Sequence, residues 1–92
     1  MNVQAEVSLY PLRTRHIGEA IERFVGELER TDLSVCKANM STTLSGDVSA
    51  VFAALGEAFR TVAEDSQVVL ILKASNACPL DGKVEGKMTD VG

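Results

Sequence analysis

The stretch of sequence that decides the fold reads Asn39-Met-Ser-Thr-Thr-Leu-Ser-Gly-Asp47. Its side chains alternate in the way that is typical of a β-strand with one buried face. The residues predicted to face a core are Met40, Thr42 and Leu44. The residues predicted on the opposite face are Ser41, Thr43 and Ser45. A row of hydroxyls on a sheet can hold a polar small molecule by hydrogen bonds, or it can simply face water.

The chain before this stretch predicts a strand, a helix and a second strand. Residues 2–10 alternate between apolar and polar side chains, and Pro11, which lacks a backbone donor, is predicted to end the strand. Thr14 is a candidate helix N-cap, and apolar residues then recur at helical spacing. These are Ile17, Ala20, Ile21, Phe24, Val25 and Leu28. Residues 33–37 predict a short strand that forms a hairpin with residues 40–45 through Ala38-Asn39.

The chain after this stretch predicts a second helix and a last strand. Asp47 is a good N-cap, because its carboxylate also suits the positive end of the helix dipole. The predicted apolar stripe of this helix is Val48, Val51, Phe52, Leu55, Phe59 and Val62. Residues 68–72 form a continuous apolar run, and its length and β-branching favour a strand.

The order strand, helix, strand, strand, helix, strand predicts an α+β fold of the ferredoxin-like βαββαβ type. Right-handed crossovers and short loops then give a four-stranded antiparallel sheet with two helices on one face. The expected strand order is fourth, first, third, second. We expect one ligand-binding domain at residues 1–79, followed by a polar tail or short appended arm at residues 80–92.

The last strand departs from simple alternation in a way that predicts self-association. Val69 and Ile71 would point away from the helices, although a strand that is apolar on both faces needs cover on both. We therefore expect a second copy of the chain to cover part of the open sheet face, giving a dimer or a tetramer.

Composition excludes several other classes of function. The net charge is −4, with 13 acidic and 9 basic residues that form no basic stripe, which argues against nucleic-acid binding. No apolar run reaches about 18 residues, so no membrane span is expected, and without a signal-peptide pattern the default expectation is a cytoplasmic protein. Two cysteines and one histidine can hardly build a zinc site, so neither a metal nor a cofactor is expected.

A candidate binding site lies on the predicted open face. Glu6 and Ser8 would lie beside Ser41 and Thr43, and a carboxylate among hydroxyls can hold an amino-substituted heterocycle. Asn76 could supply an amide to a ligand or cap a turn. An acylphosphatase-like enzyme would need an arginine in a phosphate-cradling loop. Arg13 and Arg15 are the candidates for that role, but no glycine loop surrounds them, so we expect binding without catalysis.

Three blocks of the sequence carry a family resemblance. Residues 3–12, Val-Gln-Ala-Glu-Val-Ser-Leu-Tyr-Pro-Leu, are followed by Met-Ser-Thr-Thr-Leu-Ser-Gly-Asp at 40–47 and Ser-Asn-Ala-Cys-Pro at 75–79. Together they resemble the YkoF-type thiamine- and hydroxymethylpyrimidine-binding domains. The resemblance implies a ferredoxin-like domain that binds thiamine or its pyrimidine portion without catalysis, in a pocket between the sheets of associated subunits.

The resemblance also implies roles for individual residues. Glu6 would accept hydrogen bonds from the aminopyrimidine, hydroxyls would surround the ring, and Asn76 would close the rim. Thr42 matches the threonine of the family's Met-Ser-Thr segment, yet the alternation points it inward; a shift of register by one would put Thr42 in place of Ser41 and Thr43. The alternative function is an oligomeric sensor or regulatory domain for a different small molecule.

Overall fold

The computed structural model of the protein describes residues 1–77 as six elements in sequence. They are β1 (Asn2–Leu12), α1 (Ile17–Glu29), β2 (Ser34–Lys37), β3 (Thr42–Asp47), α2 (Val48–Ala63) and β4 (Gln67–Ser75). The predicted domain end at residue 79 and the predicted tail at residues 80–92 lie outside the described residues.

The strands form a single antiparallel sheet in the order β2-β3-β1-β4. This is the expected order, so the predicted ferredoxin-like α+β fold is confirmed. The central strand is β1, whose Gln4 lies opposite Ser45 of β3 and Ser75 of β4. The predicted hairpin between β2 and β3 is also present, with Val35 opposite Leu44.

The core lies between the helices and one face of the sheet. Alternate residues of β1 are buried there, including Val7, and they meet Phe24 and Leu28 of α1 and Val51 of α2. Burying one such side chain contributes roughly 1.5–3 kcal/mol relative to leaving it in water. The aliphatic stripes of the two helices therefore hold the helices on this face and leave the other face of the sheet open.

The first strand is longer than predicted, because Pro11 does not end it. β1 continues to Leu12, and Pro11 lies opposite Val68 of β4. On the other side, the pairing with β3 reaches only to Val7, which lies opposite Thr42. Beyond Val7, β1 has a strand neighbour on one side alone, and a proline is tolerated at such an edge.

The predicted N-caps have different outcomes. Thr14 does not cap α1, which begins at Ile17 after His16; the Thr14 hydroxyl instead accepts a hydrogen bond from the His16 backbone N–H at 2.9 Å and closes the preceding turn. Asp47 does cap α2, since its carboxylate accepts from the Ser49 N–H at 3.0 Å.

The third strand begins later than predicted. It starts at Thr42, because residues 38–41 form a turn that the hydrogen bond from Ala38 N–H to the Ser41 carbonyl closes at 2.8 Å. Met40 lies in this turn and is 86% exposed, so its predicted place in the core was wrong. From Thr42 onward the alternation holds, with Thr42 and Leu44 buried.

Some apolar side chains remain exposed. Val69 and Ile71 lie on the open face, as predicted, and are 42% and 54% exposed. Phe52, which was predicted to lie in the buried stripe of α2, is nearly half exposed at the edge next to β4.

Candidate functional site

A carboxylate lies at the centre of the open sheet face. Glu6 is opposite Thr43 on one side and Lys73 on the other. Its Oε1 lies 3.4 Å from the Lys73 Nζ, and its Oε2 accepts a hydrogen bond from the Ser41 hydroxyl at 2.9 Å. The hydrogen bond from Ser41 and then the charge and hydrogen bond of Lys73 lower the pKa of Glu6, so this carboxylate is ionised at neutral pH.

The surroundings of Glu6 form a shallow concavity of about 360 Å³, which we call the open-face patch. It is lined by Gln4, Glu6, Thr43, Lys73, Ala74 and Ser75. The Lys73 side chain is 80% exposed, so its attraction to Glu6 acts largely through water. An ion pair this exposed contributes little free energy, because water and salt screen it.

A second concavity lies on the helix side of the same strands, and we call it the cleft. It arises because β1 runs on beyond the start of β3, which leaves a gap between α1 and the turn at residues 38–41. Its volume is about 310 Å³, at the lower end of the range for small-molecule sites. Its apolar walls are formed mainly by Val7, Leu9, Pro11, Ile17, Ile21, Phe24 and Val25.

Thr42 brings a hydroxyl to this apolar cleft. Within residues 1–77 it is the only buried polar residue, and it is 6% exposed. Its register opposite Val7 places it on the helix side of the sheet. The inward orientation that the alternation predicted is therefore confirmed, and the alternative register, with Thr42 on the open face, is excluded.

Two serines lie where the cleft and the open face meet. The Ser8 hydroxyl donates to the Met40 carbonyl at 3.1 Å and so ties the turn to β1. The Ser41 hydroxyl donates to Glu6, as described above. Each hydroxyl already donates its one hydrogen bond to a protein acceptor. Toward a ligand, both oxygens can therefore act only as acceptors. Acceptors suit a ligand that carries N–H groups.

The sequence matches the YKOF-related family over residues 2–81. The chain belongs to this family. The resemblance inferred from the three sequence blocks is thereby confirmed. No curated protein matches this YKOF-related chain significantly in sequence.

Solved structures agree with the fold of this YKOF-related protein. A hypothetical protein from Methanocaldococcus jannascii is 30% identical, with a TM-score of 0.79 over 99% of this chain and 96% of that one. A domain of unknown function from Bacillus cereus is 16% identical, with a TM-score of 0.81 over 95% and 90% of the two chains. A protein from Thermotoga maritima, provisionally assigned to thiamine biosynthesis or salvage, is 17% identical, with a TM-score of 0.77 over the whole of both.

The structure divides the predicted site residues of this YKOF-related protein between the two concavities. Ser8, Ser41 and Thr42 line the cleft, whereas Glu6 and Thr43 line the open-face patch. Asn76 lines neither; its side-chain amide lies 3.9 Å from the Met1 sulfur.

Two lysines that line the concavities were not among the site residues predicted from the sequence. Lys37 lies opposite Thr42 in the β2–β3 hairpin and lines the cleft, and Lys73 lies opposite Glu6. Register alone could have found both, because side chains directly opposite each other on antiparallel strands share one face. The register can be assigned only when the exact ends of the strands are known, and the sequence predicted those ends only approximately.

Residues 1–77 contain neither a cluster of metal-binding side chains nor a membrane-spanning helix. No three His, Cys, Asp or Glu side chains in this range converge as ligands of a metal ion would. The two helices in this range have 13 and 16 residues, fewer than a membrane span needs.

Proposed function

We propose that the protein binds the hydroxymethylpyrimidine portion of thiamine in the cleft, without catalysing a reaction. The observation that carries the proposal is Thr42, a buried residue that lines a mainly apolar cleft of about 310 Å³. Apolar walls fit the two faces of a flat aromatic ring, and a few placed polar groups fix its orientation. Membership of the YKOF-related family supports the choice of ligand.

In this proposal each polar residue has a defined role. The ring packs between α1 and β1, against Phe24 and Leu9. The Thr42 hydroxyl hydrogen-bonds a ring nitrogen, and the oxygens of Ser8 and Ser41 accept from the exocyclic amino group. Glu6 acts through Ser41, because its carboxylate accepts the hydrogen bond of the Ser41 hydroxyl and so leaves the Ser41 oxygen to act as an acceptor toward the ligand.

Thr42→Val tests this placement, because valine keeps the shape of threonine and replaces its hydroxyl with a methyl group. Loss of one net hydrogen bond of about 1–1.5 kcal/mol should weaken hydroxymethylpyrimidine binding roughly 5- to 13-fold in calorimetric titration. Ser45→Ala is the matched control, since it removes a hydroxyl from the open side of the same strand. Equal affinity of wild type and Thr42→Val would place the ring elsewhere.

Glu6→Gln distinguishes the cleft from the open-face patch. If the carboxylate acts only through Ser41, the loss of affinity should be smaller than for Thr42→Val. A larger loss for Glu6→Gln would mean that Glu6 contacts the pyrimidine directly, as the sequence first suggested, and that the ligand lies on the open face. Thermal melting of each variant checks that the fold is retained.

We further propose that copies of the protein associate through the apolar end of the open face. Val69 lies opposite Tyr10 and Ile71 opposite Ser8, so the exposed apolar side chains gather at one end of the sheet. The polar residues of the open-face patch extend from the centre of the sheet toward its other end. Covering this apolar end would also bring a second chain close to Ser8 and to the mouth of the cleft.

Ile71→Glu tests the association. Light scattering at micromolar concentration should give a multiple of the chain mass for the wild type and a single chain mass for the variant. Ala53→Glu, which adds the same charge to an exposed position on α2, should leave the mass unchanged. A wild-type protein of single chain mass would rule out the proposal.

A further inference from the structure

The charge of the cleft is set by one residue. Among the fifteen residues that line it, Lys37 alone carries a formal charge, and none is acidic. Lys37 lies opposite Thr42 in the hairpin, so both side chains leave the sheet on the same face, about 4.5–5.5 Å apart at their Cβ atoms. Lys37 is exposed, so it brings a positive charge to the rim of the cleft on the same face as Thr42.

Nothing in the described part of the chain neutralises this ammonium. The ion pairs formed among residues 1–77 do not include Lys37. Glu6, the carboxylate among the predicted site residues, lies on the other face of the sheet and is paired with Lys73. A ligand in the cleft therefore meets an uncompensated positive charge at the rim and apolar walls inside.

These features distinguish between the chemical forms of the proposed ligand. Thiamine carries a permanent positive charge on its thiazolium ring, and apolar walls solvate such a charge poorly. The free pyrimidine alcohol is neutral at pH 7, whereas its phosphate ester is an anion that an ammonium group attracts. The positive charge of Lys37 repels the thiazolium of thiamine and attracts the phosphate ester. Lys37 therefore weakens the binding of thiamine and strengthens the binding of the ester.

We propose that the cleft selects the hydroxymethylpyrimidine alcohol and, more strongly, its phosphate ester over thiamine, with Lys37 as the residue that sets this preference. The inference rests on the proposed function, since it takes the pyrimidine as the group that enters the cleft. Lys37 is a specificity residue here, because the neutral alcohol binds without needing it.

The test is a set of calorimetric titrations at low salt with the alcohol, its phosphate ester, thiamine and inorganic phosphate. The ester should bind about 10-fold more tightly than the alcohol, and thiamine about 10-fold more weakly. Lys37→Gln should bring the ester and the alcohol within about twofold of each other. Arg60→Gln, which removes the same charge from α2, should keep the wild-type order.

The dependence of ligand affinity on salt concentration distinguishes an electrostatic role of Lys37 from a purely structural one. The preference for the ester should shrink as ionic strength rises, because Lys37 is exposed to the solvent and its field is screened. The affinity for the neutral alcohol should stay constant over the same range. A preference that is independent of salt would overturn the electrostatic explanation.

The contrary outcomes are distinct from one another. Thiamine binding as tightly as the alcohol would overturn the inference alone, and would point to the exposed ring of Tyr10 as a partner for the cation. A preference for the ester that survives Lys37→Gln would remove Lys37 from the explanation. Inorganic phosphate binding as tightly as the ester would show an anion site without pyrimidine recognition. Binding of none of the pyrimidines would overturn the proposed function itself.

Discussion

The cleft and the open-face patch share β1 and β3 but lie on opposite sides of the sheet, and they hold their polar groups in different surroundings. In the cleft, Thr42 is a buried residue among apolar side chains. In the patch, Glu6 and Lys73 form an ion pair in contact with water. A hydrogen bond made in a desolvated site is worth more than an ion pair exposed to solvent.

The difference shows how one alternating strand can serve two purposes. The inner residues of β3 supply the core and the floor of the cleft, and the outer residues supply a solvated row of hydroxyls. A hydroxyl-rich strand is therefore not a binding surface in itself. The position of each hydroxyl relative to apolar walls decides whether it can contribute binding energy.

The largest effect that should separate the two sides of β3 is on stability. Leu44→Ala should lower the free energy of unfolding by about 2–5 kcal/mol, because Leu44 is fully buried and its removal leaves a cavity. Thr43→Ala, one residue earlier on the open side, should change it by about 0.5 kcal/mol or less. Urea unfolding followed by circular dichroism measures both. Similar losses for the two variants would contradict the assignment of the faces.

A smaller effect is expected at the end of β3 that lies away from the cleft. Gly46 has φ +157°, and a Cβ added there would lie 2.5 Å from Cδ2 of Leu33, so one of the two must move. Gly46→Ala should therefore destabilise the protein by about 1–3 kcal/mol. The same urea experiment measures it.

Gly56→Ala is the matched control for Gly46→Ala. Gly56 lies inside α2, and an added Cβ meets nothing within 4 Å. Alanine there should stabilise the protein by about 0.5–1 kcal/mol, because it favours the helix. If both variants changed stability in the same direction, the close contact of Gly46 with Leu33 would not be the cause of its effect.

The sequence allowed the fold and the facing of most strand residues to be predicted, because periodicity depends only on which residues are apolar. The inward Thr42 and the outward Ile71 both follow from it. The family followed from three short blocks and is confirmed over residues 2–81.

The cleft could not be predicted in the same way, because it depends on where elements end. Pro11 suggested that β1 stops early, whereas β1 continues beside β4 and leaves the gap under α1. Met40 suggested that β3 starts early, whereas it lies in the turn that borders the cleft. Strand ends depend on tertiary pairing more than on local preference, which is why the sequence located the hydroxyls but not the cavity.

The smallest predicted effect concerns the open-face patch and its dependence on pH. Because the pKa of Glu6 is lowered by the fold, this residue contributes stability above the ordinary pKa of glutamate, roughly 4.3. That contribution is lost as the pH falls through the lower value of the folded protein. For an exposed pair it should amount to about 0.5 kcal/mol or less.

Urea unfolding of the wild type and of Glu6→Gln at a series of pH values isolates this contribution. The pKa of Asp47 is also lowered, chiefly by the backbone hydrogen bond from Ser49, but this affects both proteins equally and cancels in the difference. The wild type should be the more stable protein at neutral pH, and the difference should vanish in acid. A difference between wild type and Glu6→Gln that persists unchanged in acid would mean that it does not come from the charge of Glu6, and that the open-face patch stabilises the fold by packing alone.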